Sequence, residues 1–384
     1  MTKKIKIDKV TYKGYGLGYD ENGKVAFVPY CLPEEEVEVK IIEDYKDYFV
    51  CEPVELIKKS NYRVEPKCKI FEKCGGCDFL NIEYDYEITL KKEILKEIFF
   101  RNHVHFNFDL LEVIKSPSRY FYRNNAQLKV SEKGEIGFFK ERSLKVIPFP
   151  ERKCLFLTQK INDFLENIND DSLLFTKGFR IRDGEEIFLK GLKGYQDNEK
   201  AIYKVNGYIY ELDIDGFFQV NNFTNPFFLN KVLDLIPEGI YNNFVELFCG
   251  VGFFSIPIFN EKKIKNYFAS EISKKAISYA KTNNILNNSN VSFYAIDSEI
   301  FLENYENIDA VFVDPPRSGL TSRLIKNIID KKIKDIYYIS CNPTTYLRDI
   351  KILLENKYEI EKLILLDNFP ATYHFEIISK LILR

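Results

Sequence analysis

The sequence predicts an α/β protein whose last part, residues 211–384, forms a Rossmann-like, doubly wound sheet with an antiparallel last strand. From NFVELF onward, apolar strand-like segments alternate with helix-like segments as far as DIYYISC, which is typical of a parallel sheet. A glycine-containing turn, GVG, follows the first of these strands. The last two strand-like segments, EIEKLILLDNF and HFEIISKLILR, are separated only by PATY. Because no crossover helix fits there, these two strands should pair antiparallel.

Two further domains precede this sheet. In residues 1–57, segments such as KIKIDKV and VAFVPYCLP alternate between polar and apolar residues, which predicts an OB-like barrel of about five strands. Residues 58–210 are predicted to be a central α+β domain with a cysteine-bearing loop, a mixture of strands and turns, and one clear helix. This helix, over residues 85–102, has apolar residues at helical spacing, and we expect it to pack on the last domain.

Composition limits the classes of function. The chain of 384 residues has a formal net charge of −2, which gives no general indication of nucleic-acid binding. Residues 119–153, however, contain nine Lys and Arg against four Glu, as expected of a phosphate-binding segment or of a solvated face. No apolar run approaches 18 residues, and MTKKIKIDKV lacks the apolar core of a signal peptide. We therefore expect a cytoplasmic protein without membrane contact, in which disulfides are not expected.

The first strand of the sheet and its turn, VELFCGVGFFS, predict a nucleotide-like ligand. Gly250 and Gly252 allow the backbone to approach the ligand, and Glu271 closes the next strand where ribose hydroxyls are bound. The third glycine of the dinucleotide fingerprint is absent, which favours a nucleoside cofactor such as S-adenosylmethionine. Asp297, after the third strand, is placed to accept a hydrogen bond from an adenine amino group. The alternative for either acid is a capping role at the helix that follows.

Two later strand ends carry candidate catalytic groups. Asp314, in VDPPRSG, lies at the carboxyl end of the fourth strand, and Cys341, in ISCNPTT, ends the fifth. A thiolate that adds to carbon 6 of uracil makes carbon 5 nucleophilic, and a base must then remove the proton from carbon 5. Glu376 begins the final strand and is the candidate base, with His374 as a competitor. From the residues alone, an inert buried thiol at position 341 is an equally good reading.

Four cysteines indicate a metal site. Cys68, Cys74 and Cys77 lie within ten residues, and Cys154 is distant. Four thiolates suit zinc and a [4Fe–4S] cluster equally well, and the spacing does not decide between them. Four unrelated free thiols are the alternative.

Taken together, the motifs resemble the RNA 5-methyluridine methyltransferases, in particular the TRAM-domain, cluster-containing enzymes of 23S ribosomal RNA. The similarity extends over nearly the whole chain. The segments that carry it are GYGLGYDENGKVAFVPYCLP, CKIFEKCGGCDFL with Cys154, DGFFQVN, ELFCGVG, DPPRSG, SCNPTT and FPATYHFE.

The resemblance implies a class I, S-adenosylmethionine-dependent methyltransferase with Cys341 as nucleophile and Glu376 as base. It assigns cofactor contacts and cluster ligands as follows: Gln219, Phe248, Glu271, Asp297 and Asp314 to S-adenosylmethionine, and Cys68, Cys74, Cys77 and Cys154 to a [4Fe–4S] cluster. The implied partner is RNA, with 23S ribosomal RNA favoured and transfer RNA as the alternative. We expect a monomer without an obligate protein partner.

Two details qualify this expectation. Related enzymes often have Asn after the second glycine of GxG, whereas this chain has Phe253, so one polar cofactor contact is expected to be missing. Arg123 and Asn124, in the basic segment, are candidate RNA contacts.

Three other functions compete with this one. RNA cytosine-C5 methyltransferases usually have a second Cys in the Asp-Pro-Pro motif, where this chain has Arg317. Radical methylthiotransferases have a CxxxCxxC cluster motif, whereas here the spacing is CxxxxxCxxC. A non-catalytic RNA-binding module would not need the combination of Gln219, Glu271, Asp314, Cys341 and Glu376.

Overall fold

The computed structural model describes residues 2–384. Its amino-terminal part is a closed barrel of five strands in the order β1-β2-β3-β5-β4. The strands are β1 (Thr2–Val10), β2 (Tyr15–Tyr19), β3 (Val25–Pro29), β4 (Glu36–Asp44) and β5 (Tyr48–Lys58). Alternate side chains of β1 point inward, and Ile5 and Ile7 lie in the barrel core. The predicted barrel is therefore confirmed, and the period-two pattern of its sequence is the reason that it folds this way.

The middle of the chain forms a long helix, two short helices, a five-stranded sheet, a hairpin and one separate strand. The sheet has the order β11-β10-β7-β8-β9. The elements are α1 (Tyr84–Arg101), β6 (Glu112–Ile114), β7 (Asn125–Val130), β8 (Ile136–Phe139), β9 (Val146–Pro148), α2 (Gln159–Glu166), α3 (Asp170–Leu174), β10 (Gly178–Asp183), β11 (Ile187–Lys190), β12 (Lys200–Val205) and β13 (Tyr208–Asp213). The helices α2 and α3 are additions to the predicted mixture of strands and turns.

The rest of the chain builds an eight-stranded sheet of order β16-β15-β14-β17-β18-β20-β19-β6. Its elements are α4 (Asn225–Leu235), β14 (Asn243–Leu247), α5 (Ser255–Lys262), β15 (Asn266–Glu271), α6 (Lys274–Leu286), β16 (Ser292–Ala295), α7 (Ser298–Glu303), β17 (Ala310–Val313), α8 (Ser322–Asp330), β18 (Asp335–Ser340), α9 (Pro343–Glu355), β19 (Tyr358–Leu366) and β20 (Glu376–Leu383). Strands β14 to β18 run parallel, and β20 pairs antiparallel with β18 and β19. The doubly wound sheet and its antiparallel last strand are confirmed.

The strand order reverses between β14 and β17, since β14 pairs with β15 on one side and β17 on the other. Ligands of doubly wound sheets bind at such a switch point, outside the carboxyl ends of the strands. The Gly250 turn, Asp314 and Cys341 all follow strands that end at this edge. The fold thus gathers motifs that are almost 100 residues apart in the sequence.

The middle segment also contributes a strand and a helix to the eight-stranded sheet and its core. β6 pairs parallel with β19 at its edge, and α1 buries Leu90, Leu95 and Phe99 in a core that it shares with α9. This agrees with the expected packing of the 85–102 helix. The predicted boundary at residue 211 falls inside β13, whose partner β12 precedes it. The hairpin β12–β13 contacts the turn after β14, because Tyr210 of β13 packs against Phe253 of that turn.

Helix α9 is an addition to the elements predicted from the sequence, although its start carries strong helix signals. Asn342 caps the helix by accepting a hydrogen bond from the Thr344 amide, and Pro343 occupies the first turn. Over residues 2–384, no helix has both the length and the apolar character that crossing a bilayer demands.

Candidate active site

The turn after β14 has a backbone that few side chains tolerate. Gly250 and Gly252 have φ of 54° and 85°, and Phe248, which is not a glycine, has φ of 64°. A Cβ on Gly252 would lie 3.0 Å from the Phe293 ring, whereas the space beside Gly250 is open. A non-glycine residue in the left-handed region costs free energy and often marks a functional site. The turn therefore has, at Gly250, room for a close approach of a ligand to the backbone beside the switch point, as the glycines in the sequence predict.

Phe253 has a packing role that explains its departure from the common Asn. Its ring is buried and lies 5.4 Å from Phe218 and 5.5 Å from Tyr210, centroid to centroid. Phe218 immediately precedes Gln219, a predicted cofactor contact that is 6% exposed. The aromatic cluster thus anchors the FFQVN segment beside the glycine turn.

The Gln219 segment is held from the other side by Asn124. The Asn124 side-chain amide donates to the Gln219 carbonyl at 2.9 Å and to Asn222 Oδ1 at 2.7 Å. Asn124 is completely buried, with 0% exposure. The hypothesis that Asn124 contacts RNA is therefore wrong, because its side chain is buried and its amide group is hydrogen-bonded within the protein.

The two acids at the next strand ends have local hydrogen bonds. Glu271, at the end of β15, accepts from the Ser273 amide at 2.9 Å. Asp297 caps α7 by accepting from the Glu299 amide at 2.9 Å and the Ile300 amide at 3.4 Å. The capping role considered for these acids is thus present at Asp297, whereas Ser273 caps α6 in place of Glu271. In both acids the hydrogen bonds engage a single carboxylate oxygen. Their predicted contacts with ribose and adenine stay predictions.

Cys341, the candidate nucleophile, and Glu376, the candidate base, lie opposite each other at the ends of two neighbouring strands. Ser340 of β18 pairs with Ile377 of β20, so the next residues along this register are Cys341 and Glu376. Glu376 is 5% exposed, and Cys341 is half-buried. Because the two strands run antiparallel, a thiol and a carboxyl 35 residues apart in the sequence meet at one edge of the sheet.

Burial controls the protonation of this site. It raises the pKa of the Cys341 thiol to about 12, with the neighbouring Glu376 and Asp314 charges adding to the effect. Burial also raises the pKa of Asp314 to about 7 and holds the pKa of Glu376 well above its ordinary value. Arg317 opposes these shifts at Cys341 and Glu376. Three acidic groups in one apolar site disfavour one another's charged forms.

The Asp-Pro-Pro loop and the cysteine loop are tied together at Arg317. Its carbonyl accepts hydrogen bonds from Asn342 Nδ2 at 2.9 Å and Thr345 Oγ1 at 3.1 Å. These bonds place the Arg317 backbone at the start of α9, directly after the Cys341 thiol. The amino terminus of a helix and a nearby guanidinium both favour a thiolate. The contacts of Asn342 and Thr345 with Arg317 were not among the predictions from the sequence. Asn before Pro is nevertheless a signal for the start of a helix.

His374 is a poor competitor for the role of base. Burial lowers its pKa to about 3, and the positive charges of Arg317, Lys91 and Arg123 add to this effect. A group with such low proton affinity accepts a proton weakly, whereas the raised pKa of Glu376 strengthens that carboxylate as a base. The electrostatics therefore favour Glu376.

The loop that carries Glu376 is braced by buried charges from α1. Lys91 Nζ lies 2.6 Å from Asp367 Oδ1 and 2.9 Å from Glu87 Oε1, and all three side chains are fully buried. Glu87 also accepts from the Ala371 amide at 2.7 Å, and Lys91 donates to the Phe369 carbonyl at 3.1 Å. The loop between β19 and β20 is thus fastened to a helix from another part of the chain.

We expect Lys91→Met to destabilise the protein by about 3–5 kcal/mol, because Asp367 would be left as a buried carboxylate without its cation and Glu87 would keep only Arg119. Chemical denaturation measures this as a lower free energy of unfolding. Lys96→Met, on the exposed face of the same helix, is the matched control and should change stability by less than about 0.5 kcal/mol. Equal stability of the two variants would contradict the bracing role.

Comparisons with known proteins decide the family. The tRNA (Uracil-5-)-methyltransferase family model matches residues 192–383, and the TRAM domain model matches residues 1–49. An Aquifex aeolicus (strain VF5) protein, described as an uncharacterized RNA methyltransferase, is 31% identical over 98% of both chains. The tRNA (uracil(54)-C(5))-methyltransferase of Pyrococcus abyssi (strain GE5 / Orsay) is 30% identical over 94% of this chain and 96% of its own.

The chain belongs to the tRNA (uracil-5-)-methyltransferase family. Its fold agrees with this membership: the crystal structure of Pyrococcus abyssi tRNA (uracil-54, C5)-methyltransferase in complex with S-adenosyl-L-homocysteine matches 99% of both chains with a TM-score of 0.77 at 25% identity. The barrel is a TRAM domain, and the chain is an RNA uracil-C5 methyltransferase. Membership excludes the cytosine-specific, radical and non-catalytic readings of the sequence.

In this family member the four predicted cysteine ligands converge. Cys68, Cys74, Cys77 and Cys154 line one small pocket together with Gly76. Amides of Gly76 and of Phe156 and Leu157 face the sulfur atoms of Cys74 and Cys154, respectively, and oppose the pKa increase that burial causes there. Such amides are suitable partners for thiolates. Nevertheless, within residues 2–384 no three Cys, His, Asp or Glu side chains form a group able to hold a metal ion.

A groove of about 690 Å³ separates the TRAM domain from α1 and the start of α9. Aromatic and basic side chains line it together with Glu43 and Glu97, which pair with three of its basic residues, and Thr344 of the cysteine motif also lines it. The aromatic residues are Tyr12, Tyr15, Phe27, Tyr45 and Tyr48, and the basic residues are Lys9, Lys13, Arg101 and Arg142. Stacking surfaces beside cations are the features that bind single-stranded RNA. Of the predicted basic segment, Arg119 instead turns inward to Glu87 at 2.8 Å.

Proposed function

We propose that this family member transfers a methyl group from S-adenosylmethionine to carbon 5 of a uridine in RNA, with Cys341 as nucleophile and Glu376 as base. The observation that carries the proposal is the register of β18 and β20, which sets these two residues opposite each other at the edge of the sheet where β14, β17 and β18 end. One residue can thus attack a base ring while the other reaches the proton on the adjacent carbon.

The proposed reaction proceeds through an adduct. The Cys341 thiol loses its proton to solvent, and the thiolate adds to carbon 6, so that electron density moves to carbon 5. Carbon 5 forms a bond to the methyl group, which S-adenosylmethionine would supply when bound: the bond between the methyl carbon and the sulfonium sulfur would break, with its electron pair left on sulfur. Glu376 then removes the proton from carbon 5, the double bond re-forms, and the thiolate leaves. The products are 5-methyluridine, S-adenosylhomocysteine and one proton.

The cofactor is proposed to bind over the Gly250 turn. Gly250 and Gly252 would allow its close approach to the backbone, and the side chains that would contact it are Gln219, Phe248, Glu271, Asp297 and Asp314. The positive φ of Phe248 and the open space beside Gly250 support this place. The matching Pyrococcus abyssi enzyme, whose crystal structure contains S-adenosyl-L-homocysteine, supports the class of ligand.

The four cysteines are proposed to hold a [4Fe–4S] cluster with a structural role, because four thiolates leave no iron open to substrate. Their shared pocket and the amides that face the sulfurs support this donor set. The pocket is joined to the active site through residues 77–79, since the Asp78 and Phe79 amides donate to the Ala371 carbonyl, both at 3.0 Å. The cluster would therefore stabilise the loop that carries Glu376.

We expect Cys74→Ser to lower iron and acid-labile sulfide content, and to lower stability and RNA binding before S-adenosylmethionine binding changes. Metal analysis, thermal unfolding and calorimetry measure these quantities on anaerobically purified protein. Cys51→Ser, in the TRAM barrel core, is the control and should leave the iron content unchanged. A native chain without iron, or a Cys74→Ser variant with full iron, would contradict the cluster.

The proposed substrate is 23S ribosomal RNA, as the sequence resemblance favours. Transfer RNA is the second candidate, because the Pyrococcus abyssi relative is a tRNA (uracil(54)-C(5))-methyltransferase. The test incubates the anaerobically purified chain with S-adenosylmethionine and each unmodified RNA separately, followed by mass spectrometry of nucleosides. 5-Methyluridine in one RNA identifies the substrate class. Its absence from both would refute the proposed function for free RNA.

Three further predictions accompany this function: a cytoplasmic location, a monomeric state, and a division into domains at residues 1–57, 58–210 and 211–384.

A further inference from the structure

One aromatic side chain of the TRAM barrel reaches the candidate active site. Tyr12 lies in the turn between β1 and β2, which is closed by hydrogen bonds from Thr11 N to Tyr15 O at 2.8 Å and from Gly14 N to Thr11 O at 2.9 Å. The barrel therefore presents Tyr12 from a rigid hairpin. Its sequence neighbourhood, VTYKGYG, has no signal that would connect it with the catalytic motifs more than 300 residues later.

The Tyr12 hydroxyl contacts the nucleophile segment. It donates to the carbonyl of Cys341 at 3.3 Å. This carbonyl belongs to the peptide between the end of β18 and the cap of α9, so the bond restrains the backbone from which the thiol projects. Burial raises the pKa of Tyr12 well above its usual range, which keeps the hydroxyl protonated and able to donate.

The Tyr12 ring contacts the base segment. It packs edge-to-face against Tyr373, His374 and Phe375, with centroid separations of 5.5, 6.4 and 6.3 Å. These are the three residues directly before Glu376. Edge-to-face pairs at such distances are favourable and directional. Tyr12 is thus in contact with both strand ends that carry the proposed catalytic pair.

The tip of the same turn fits closely between two other segments. A Cβ on Gly14, whose φ is 78°, would lie 3.3 Å from the Asp78 Cβ and 3.5 Å from the Tyr373 Cβ. Asp78 Oδ2 in turn accepts from the Tyr373 amide at 3.3 Å. The close fit of this turn leaves Tyr12 little freedom to move away from the active site.

We propose that Tyr12 is a positioning residue that holds the Cys341 and Glu376 segments at their working separation, so that the TRAM barrel completes the active site as well as any RNA surface it offers. The inference rests on the proposed roles of Cys341 and Glu376. It predicts that the effect of Tyr12 lies in the chemical steps and not in the affinity for RNA or cofactor.

The test compares Tyr12→Ala and Tyr12→Phe with Tyr19→Ala, a control on the same barrel where the side chain is 46% exposed. Single-turnover rates of covalent adduct formation with RNA that contains 5-fluorouridine are measured at saturating RNA, together with kcat and KM for normal RNA. We expect Tyr12→Ala to lower the adduct rate and kcat by about 100-fold, with KM within about twofold of the native value. Tyr12→Phe keeps the ring and loses one hydrogen bond, so its loss should be about 2- to 10-fold.

The outcomes separate the possible failures. A Tyr12→Ala rate that matches Tyr19→Ala would overturn the inference, and so would a defect that saturating RNA restores, because Tyr12 would then be an RNA contact. If Tyr12→Ala does not fold, Tyr12→Phe decides: a rate equal to that of the native chain refutes the role of the hydroxyl. If the native chain forms no adduct while Cys341→Ala still methylates RNA, the proposed function fails instead.

Discussion

Replacing Cys341 with alanine should abolish methylation, with a fall in kcat of more than about 10⁴-fold. Without the thiol there is no covalent route that activates carbon 5 of uracil, and the remaining carboxylates cannot replace a sulfur nucleophile. The covalent complex with 5-fluorouridine RNA, stable because fluorine at carbon 5 cannot leave as a proton, should also disappear. Denaturing electrophoresis of radiolabelled RNA measures it directly.

Cys51→Ala provides the matched control for the loss of Cys341. This thiol is also buried, but it lies in the TRAM barrel core, so the variant should form the adduct at a rate close to that of the native chain. S-adenosylmethionine affinity of Cys341→Ala should stay within about twofold of native, since the thiol is not among the proposed cofactor contacts. A Cys341→Ala variant that still produces 5-methyluridine would eliminate the adduct mechanism.

Replacing Glu376 with glutamine should stall the reaction after methyl transfer and lower kcat by about 10²–10⁴-fold. The amide cannot accept the proton from carbon 5, so the methylated adduct cannot release its thiol. Unlike Cys341→Ala, this variant should accumulate a covalent complex with ordinary uridine-containing RNA. Glu359→Gln, an exposed position on β19 that pairs with Arg384 at 2.7 Å, is the control and should show neither effect.

The pH dependence of the native chain gives a second measure of Glu376. The base must be ionised to act, and burial together with the nearby Asp314 charge holds its pKa well above the ordinary value. Activity should therefore fall as the pH drops through this raised pKa, at a higher pH than an ordinary carboxyl near 4.3 would give. The residual activity of Glu376→Gln should lack this acidic limb. A limb that persists in the variant would assign it to another group, for which Asp314, with a pKa of about 7, is the first candidate.

The sequence by itself determined the barrel, the doubly wound sheet and the position of the chemistry along that sheet, although it left out the helices α2, α3 and α9. Alternation in residues 1–57 predicted the barrel, and the strand–helix rhythm from NFVELF predicted the parallel sheet. Motifs at the carboxyl ends of parallel strands necessarily share one edge of the sheet. The sequence alone therefore predicted that Gly250, Asp314 and Cys341 lie at the same edge. The short PATY connection forced an antiparallel last strand, which brought Glu376 to the same edge. These inferences succeed because they depend on local periodicity and on the geometry of one sheet.

Only the tertiary structure decided which distant segments support that edge. Tyr12 enters from the barrel, Lys91 from α1 and Asn124 from the middle sheet, and their partners lie 95 to 329 residues away in the chain. The same packing turned Asn124 from a candidate RNA contact into an interior amide, and lowered the pKa of His374 to about 3. Sequence patterns record which face of an element is apolar, but they do not record which other element covers it. The pKa of a buried group and the partner of a buried amide both depend on that covering element, and so they emerge only when the chain is packed.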